Sequence, residues 1–437
     1  MSSRSKSRAL LAGIAVAAAL LAAPALSGAS NASVSGPNLF FFALVGETNN
    51  LTASFNGTDY LLTDSGAPIT PGAGCSAVNP NQVKCAPTGV KEMDLRLGNL
   101  DDQASIADSV IGLGGDFTDG ATIEGQAGND TISGGVNIRN RLYGDDASFG
   151  GTGNDNVTGG SMGDSLIGAG GNDSLKGGAG RDNLRGDDGA DQVDGGAGPD
   201  SITEGIAPNG ADVLIGGTGF NSISYESRSV DVSVSENDLA DDGGAAEGDN
   251  VNGQFQSFST GSGNDTLTGG PSGAFYSTGD GDDTIAAGGG NDDLRGDDGN
   301  DNLSGGGGAD RLNGSDGSDT ADGGPGDDLI ADGGGDESGG GGDSYLGGAG
   351  TDRLMYGSEL PLTIDLDGVA DDGRPGENDL AGADLEDLTG GSKADILTGN
   401  NSANQIDGGA GNDQINGLGG PDALLGDAGD DFLNGGP

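Results

Sequence analysis

From about Gly125 onward, the chain places one large aliphatic residue in every nine, flanked by two mostly polar positions and separated from the next by turns rich in Gly and Asp. Gly177 to Arg185 reads GGAGRDNLR, Gly195 to Thr203 reads GGAGPDSIT, and Gly408 to Asn416 reads GGAGNDQIN. The shared form is GGxGxDxUx, where U is a large aliphatic. Register is strict from Gly150 to Thr203, from Thr260 to Ala331 and from Gly390 to Asn434. One apolar side chain between two polar ones is the period-two signature of a very short strand. Glycines at positions one, two and four permit the positive φ and close backbone approach that a tight turn needs. Each unit is therefore predicted to be a six-residue turn followed by a three-residue strand. No unit can bury its single aliphatic residue alone, so units must stack. Two units make one coil of 18 residues. The prediction is an all-β fold, a parallel β-roll whose two narrow sheets face each other with their aliphatic rows.

Two stretches break the register, 224–259 and 355–389, and they resemble each other at an offset of 130. Ala240-Asp241-Asp242-Gly243 matches Ala370-Asp371-Asp372-Gly373, and Phe255 and Phe258 match Leu385 and Leu388. Each opens on an alternating run, Val230, Val232 and Val234 in one and Leu360, Leu362 and Ile364 in the other. That alternation predicts a half-buried strand followed by an acidic, Gly-rich loop. The favoured reading is a longer rung that continues the roll with one loop pushed out. The competing reading is a binding surface, because long loops on a rigid scaffold often bind. The flanking repeat blocks are then 106–223, 260–354 and 390–437.

Residues 33–105 contain less Gly, and Phe40, Phe41, Phe42, Tyr60, Leu61 and Leu62 lie in short strand-like runs. Gly98-Asn99-Leu100-Asp101-Asp102 already looks like a degenerate repeat turn. The segment is read as a small β cap over the first coil, since an uncapped sheet edge invites association; a carbohydrate-binding module is the alternative. At the other end, Phe432 and Leu433 are candidates to cover the last coil.

Composition tests this picture. Of 437 residues 94 are Gly, net charge is −53, and Leu, Ile, Val and Phe make up just under a fifth. By composition alone such a chain reads as disordered, and only the sustained register overturns that. The acidity argues against nucleic-acid partners. The sequence has no His, which excludes Ser-His-Asp triads, Cys-His pairs and His-based zinc sites.

Residues 1–29 resemble a secretory signal: Arg4, Lys6 and Arg8, a largely apolar run from Ala9 to Ala23, then Ser27-Gly28-Ala29. A retained anchor is the competing reading, although the apolar run is short for a membrane span. Removing this segment leaves 14 basic and 70 acidic side chains, a net charge of −56. An exported chain sits where disulfides form, so Cys75 and Cys85, ten positions apart, are read as one short-loop bridge.

The sixth position of the repeat carries the chemistry. Stacked turns bring its Asp side chains together at about the ~4.8 Å strand spacing. Such a ladder of like charges is unfavourable, and a thin core cannot offset it. A hard divalent cation between turns removes the problem. Ca²⁺ suits it, since it accepts six to eight oxygens in flexible geometry, whereas Mg²⁺ wants a small rigid octahedron.

The repeat resembles the hemolysin-type (RTX) calcium-binding nonapeptide. The resemblance covers roughly residues 125–437 apart from the two interruptions. It implies a β-roll with Ca²⁺ held in the turns by the sixth-position Asp and by turn carbonyls. Carried over position by position, the metal ligands are Asp155, Asp164, Asp173, Asp182, Asp191, Asp200, Asp265, Asp283, Asp292, Asp301, Asp310, Asp319, Asp328, Asp352, Asp413, Asp422 and Asp431. Asp130, Asp212, Asp343 and Asp395 join them, on broken flanks. Asn221, Asn404 and Ala274 replace the sixth-position Asp, and Met162 and Lys393 replace a turn glycine. Those turns are expected to stay in the coil and to bind weakly or not at all.

The resulting expectation is a secreted, multi-site calcium-binding protein that folds on binding its ions. Its role would be structural or adhesin-like, with cell-surface or matrix components as partners, no membrane insertion and no catalysis. The alternative is a Ca²⁺-dependent extracellular enzyme or carbohydrate-binding protein acting through the 33–105 segment or the insertions. Paired acids such as Asp241/Asp242 and Asp371/Asp372 are candidates for glycan hydrolysis, but adjacent exposed acids read as solvated loop residues.

Overall fold

The computed structural model describes residues 29–110, 120–145, 151–207, 209–237, 239–245, 247–252, 254–333 and 342–437. Residues 1–29, read above as a secretory signal, lie outside these residues except for Ala29. Among the described residues no helix is long and apolar enough to cross a membrane.

The chain folds as a parallel β-roll. Successive coils stack in register, so that eighth-position residues form continuous rows. One row runs Leu166, Leu184, Ile202, Ile223, Phe258, Tyr276, Leu294, Leu312, Ile330, Leu354, Leu388 and Ile406. Every member is buried. The flanking polar residues point outward, as period-two alternation requires. The turns bend where glycine allows it: Gly178 (φ 103°) and Gly196 (φ 95°), one coil apart, hold a conformation that L side chains rarely adopt.

The two faces differ. One is a single 19-stranded sheet, while the other is broken into sheets of 11, 9 and 4 strands. Both breaks fall at the insertions. The first sheet of the broken face ends on Asn250–Asn252, and the next begins with Val232–Ser235 and Gly243–Gly244. The second break lies between Ala370–Asp372 and Thr363–Asp365. Each insertion thus keeps the unbroken face in register, through Ile223↔Phe258 and Leu354↔Leu388, and interrupts the opposite one. The alternating runs are strands only in part. Val232, Val234, Leu362 and Ile364 are buried, but Val230 and Leu360 lie before the strands and stay substantially exposed.

The N-terminal segment continues the stack. Glu92–Gly98 pairs in parallel with Gly120–Gln126, and Gln103–Ile106 with Thr131–Ser133. Antiparallel hairpins then close this end, Ser30–Ser35 with Asn38–Phe42 and Asn50–Phe55 with Tyr60–Asp64. Cys75 and Cys85 face each other across an antiparallel pair and form a disulfide. Phe432 and Leu433, expected to cover the last coil, are exposed instead.

Candidate metal centres

The sixth-position carboxylates form hydrogen-bonded ladders along the edges of the roll. In each turn Oδ1 accepts the backbone N–H of the sixth-position residue one coil earlier. One ladder runs from Asp130 through Asp155, Asp173 and Asp191 to Asp212, with N···O distances of 2.7–2.8 Å. Another joins Asp164, Asp182 and Asp200 and resumes as Asp292, Asp310, Asp328 and Asp352. A third joins Asp265, Asp283, Asp301, Asp319 and Asp343, and a fourth Asp395, Asp413 and Asp431. Asp422 accepts from Asn404. The substituted positions stay in line: Asn221 accepts from Asp200, and Ala274 donates to Asp292. Beside these ladders an exposed row of fifth-position Asn side chains runs in the opposite sense, Asn154 and Asn172 accepting the N–H of Asn172 and Ala190 one coil later.

Oδ1 is satisfied, but Oδ2 is mostly not. Of the 21 expected ligands, 18 are buried, and Asp343, Asp422 and Asp431 are half-buried. In 16 of them Oδ2 is buried with no hydrogen-bond partner, among them Asp155, Asp173, Asp191, Asp283 and Asp301. Buried acceptors are ordinarily paired, and an unpaired charge is costlier than an unpaired dipole. Most of these orphan oxygens face a small space kept open by the first glycine of the turn; at Asp265, Asp283 and Asp292 that position is instead Thr260, Thr278 and Ala287. A β-carbon at Gly177 would lie 2.6 Å from Asp182 Oδ2 and 2.6 Å from the Gly195 carbonyl of the next coil. The nearest polar atoms there are both oxygens, one from a carboxylate and one from a backbone carbonyl. That is the ligand chemistry of a hard cation, and Ca²⁺ fits it.

The same burial perturbs titration. Loss of solvent pushes Asp155 and Asp191 up to about 8, and Asp130, Asp182 and Asp301 up to about 7. The backbone N–H on Oδ1 opposes the shift, and neighbouring ladder carboxylates add to it. Without a counter-ion these groups resist ionisation at neutral pH.

Residues 118–136, 167–202, 209–224, 257–272, 277–337 and 380–437 match the RTX calcium-binding nonapeptide repeat. The chain thus carries RTX repeats along nearly half of its length. No characterised protein matches the chain in sequence. RTX repeats bind calcium, so the chain is a calcium-binding structural repeat protein.

The RTX ladders extend beyond the residues expected to carry them. Asp102 heads the first one: its Oδ1 accepts from Asn49, its N–H donates to Asp130, and its Oδ2 is an orphan. The Asp101-Asp102 pair in a degenerate turn was the available signal. Asp249 and Asp379, both inside the insertions, continue the rows by accepting from Asp212 and Asp343 at 3.0 Å.

The insertions also hold a device that the sequence conceals. Asp242 accepts Ser235 N–H on Oδ1 (2.6 Å) and Val251 N–H on Oδ2 (2.8 Å). It thereby splices the edge of one sheet to the edge of the next. Asp372 does the same between Asp365 (2.6 Å) and Ala381 (2.9 Å). Read as solvated members of acidic pairs, both are in fact buried, and only Asp241 and Asp371 face solvent.

Proposed function

We propose that this is a secreted protein that binds Ca²⁺ at many turns and becomes a rigid roll only when they are filled. The observation that carries this reading is the row of buried, partnerless Oδ2 atoms facing glycine-lined, carbonyl-walled spaces. The ligands are the 21 sixth-position Asp residues named above, with weak or absent binding where Asn221, Asn404, Ala274, Met162 or Lys393 breaks the pattern. Ions that bind the folded state and not the unfolded one stabilise it by mass action. Extracellular modules commonly work at about 10⁻⁴–10⁻³ M Ca²⁺, so the chain would stay open inside the cell and fold outside. The role is structural or adhesin-like, a calcium-stiffened surface or matrix spacer, and does not include catalysis.

The test is a calcium titration of the chain without residues 1–29, followed by far-UV circular dichroism and small-angle X-ray scattering. A cooperative gain of β signal with marked compaction is expected, and equal Mg²⁺ should not reproduce it. No change up to about 10 mM Ca²⁺, above the usual extracellular range, would overturn the reading.

A further inference from the structure

At the first break in the roll, three acidic side chains from separate segments converge in the interior. Glu204 follows the strand Ser201–Thr203, Asp212 is a sixth-position residue, and Asp249 belongs to the insertion. One carboxylate oxygen from each lies within 4.8 Å of the other two, and all three residues are buried. Glu204 is 2 % exposed, and no N–H or hydroxyl donates to either of its carboxylate oxygens; Asp212 Oδ2 receives none either, and the close partner of each acid is the other carboxyl. The nearest cation is already engaged. Arg228 forks onto Glu247 at 2.9 and 2.8 Å and donates to the Gly205 carbonyl, leaving Glu204 3.7 Å away. Four buried acids, counting Glu247, thus share one guanidinium among the described residues.

We propose that Glu204, Asp212 and Asp249 hold a divalent cation, Ca²⁺ by its oxygen-only donors, that locks the first insertion onto the roll. These oxygens lie within 4.8 Å of one another, no farther apart than about twice a Ca²⁺–oxygen distance of ~2.4 Å, so one ion can touch all three. The site is unlike a repeat turn. It is built from side chains of three segments, and it closes only when the insertion docks. It shares Asp212 and Asp249 with the ladder and to that extent rests on the reading above, while Glu204 has no counterpart in an ordinary turn.

Two other acidic groups show what such a site is not. Asp365, Asp371 and Asp372 also gather within 4.8 Å, but Asp371 is exposed, and both oxygens of Asp372 accept backbone N–H groups. At the second break, Asp332, Asp343 and Asp379 occupy the places of Glu204, Asp212 and Asp249. There Arg374 binds both Asp332 oxygens (3.1 and 3.0 Å), and the Tyr345 hydroxyl lies 2.8 Å from Asp343 Oδ2.

Crystals of the full chain soaked with Tb³⁺, a Ca²⁺ surrogate, would locate the ions by anomalous scattering. The expected result is a peak among Glu204, Asp212 and Asp249, none among Asp332, Asp343 and Asp379, and loss of the first in Glu204→Gln with the turn peaks retained. Peaks in the turns and none at Glu204 would overturn the proposal without touching the repeat reading. A peak that persists unchanged in Glu204→Gln would overturn it too. A peak at Glu204 with empty turns would support it while removing the repeat reading. The wild-type map alone decides whether an ion is there, even if the variant does not fold.

Discussion

The two insertions began as one solution and reached different ends. Both break the same face of the roll, and both bridge the gap with a buried Asp on two backbone N–H groups, Asp242 and Asp372. Both then tie a tyrosine hydroxyl to the acid that ends a ladder, Tyr225 to Asp249 (3.0 Å) and Tyr356 to Asp379 (3.1 Å). Beyond that they part. In the second joint Tyr345 stands two residues after its ladder Asp and reaches both Asp343 and Asp332. The corresponding residue of the first joint is Leu214, which has nothing to donate. Arg374 bridges Asp332 (3.0 Å) and Glu377 (2.7 Å), whereas Arg228 forks onto Glu247 and stays 3.7 Å from Glu204. One joint satisfies its buried acids with the protein's own donors, and the other leaves them for something else to neutralise. The two joints thus differ in one hydroxyl, that of Tyr345, and in the placement of an arginine, Arg374 against Arg228, which stand at non-equivalent positions.

The largest expected effect comes from replacing cations by protons. Ladder carboxyls are raised by burial to values from about 6 (Asp173, Asp283) to about 8 (Asp155, Asp191), against about 3.9 in an unfolded chain. A raised carboxyl means that the fold binds more protons than the unfolded state. The calcium-free fold is therefore favoured fully below about pH 4 and loses that support as pH climbs through 6 to 8. Calcium works in the opposite sense, because its ligands must be ionised. In chelator, lowering the pH from 8 to 5 should recover β signal by circular dichroism, and raising it should abolish folding. A calcium-free chain equally unfolded at both pH values would break the electrostatic account of ladders and first joint together.

Next in size is loss of the splice that both joints share. Asp242→Ala leaves Ser235 and Val251 N–H groups buried without acceptors, at about 1–3 kcal/mol each. Asp372→Ala does the same to Asp365 and Ala381. Urea unfolding in saturating calcium should show a loss of about 2–6 kcal/mol for either variant, and the two should agree. A loss under about 1 kcal/mol in one of them would mean that only the other joint depends on its splice.

How much of this was legible follows from periodicity. The coil of 18, the facing aliphatic rows and the sixth-position ladder all follow from a pattern repeated often enough to outweigh composition. What was hidden lies where the repeat stops. Glu204 and Asp332 fall four residues after Asp200 and Asp328, the place that the next turn reserves for its first glycine. A β-carbon there points at the orphan oxygen of an ordinary turn, as at Gly177, so an acid at that position needs an enlarged turn. The longer spacings to Asp212 and Asp343 supply one. That substitution was visible, but without the fold it reads as a broken flank. Asp242 and Asp372 were harder to see. Their N–H donors are seven and nine residues away on two strands, and only the break in the sheet gives those donors an edge to expose.

The smallest effect tests the difference between the joints directly. Tyr345→Phe keeps the ring that packs edge-on against Tyr356 at 5.9 Å and removes only the hydroxyl. Asp343 Oδ2 then becomes an orphan, like Asp212 Oδ2, although Arg374 still holds Asp332. A hydrogen bond to a charged group is worth about 1.5–3 kcal/mol, and a loss of that order is expected by urea unfolding at low calcium. If the hydroxyl does for the second joint what a cation does for the first, raising calcium should shrink the loss, because the freed carboxylate can then take an ion. A loss that stays constant across a calcium series would mean that the second joint cannot be turned into the first by one hydroxyl. The direction of Arg374 would then be the deciding difference.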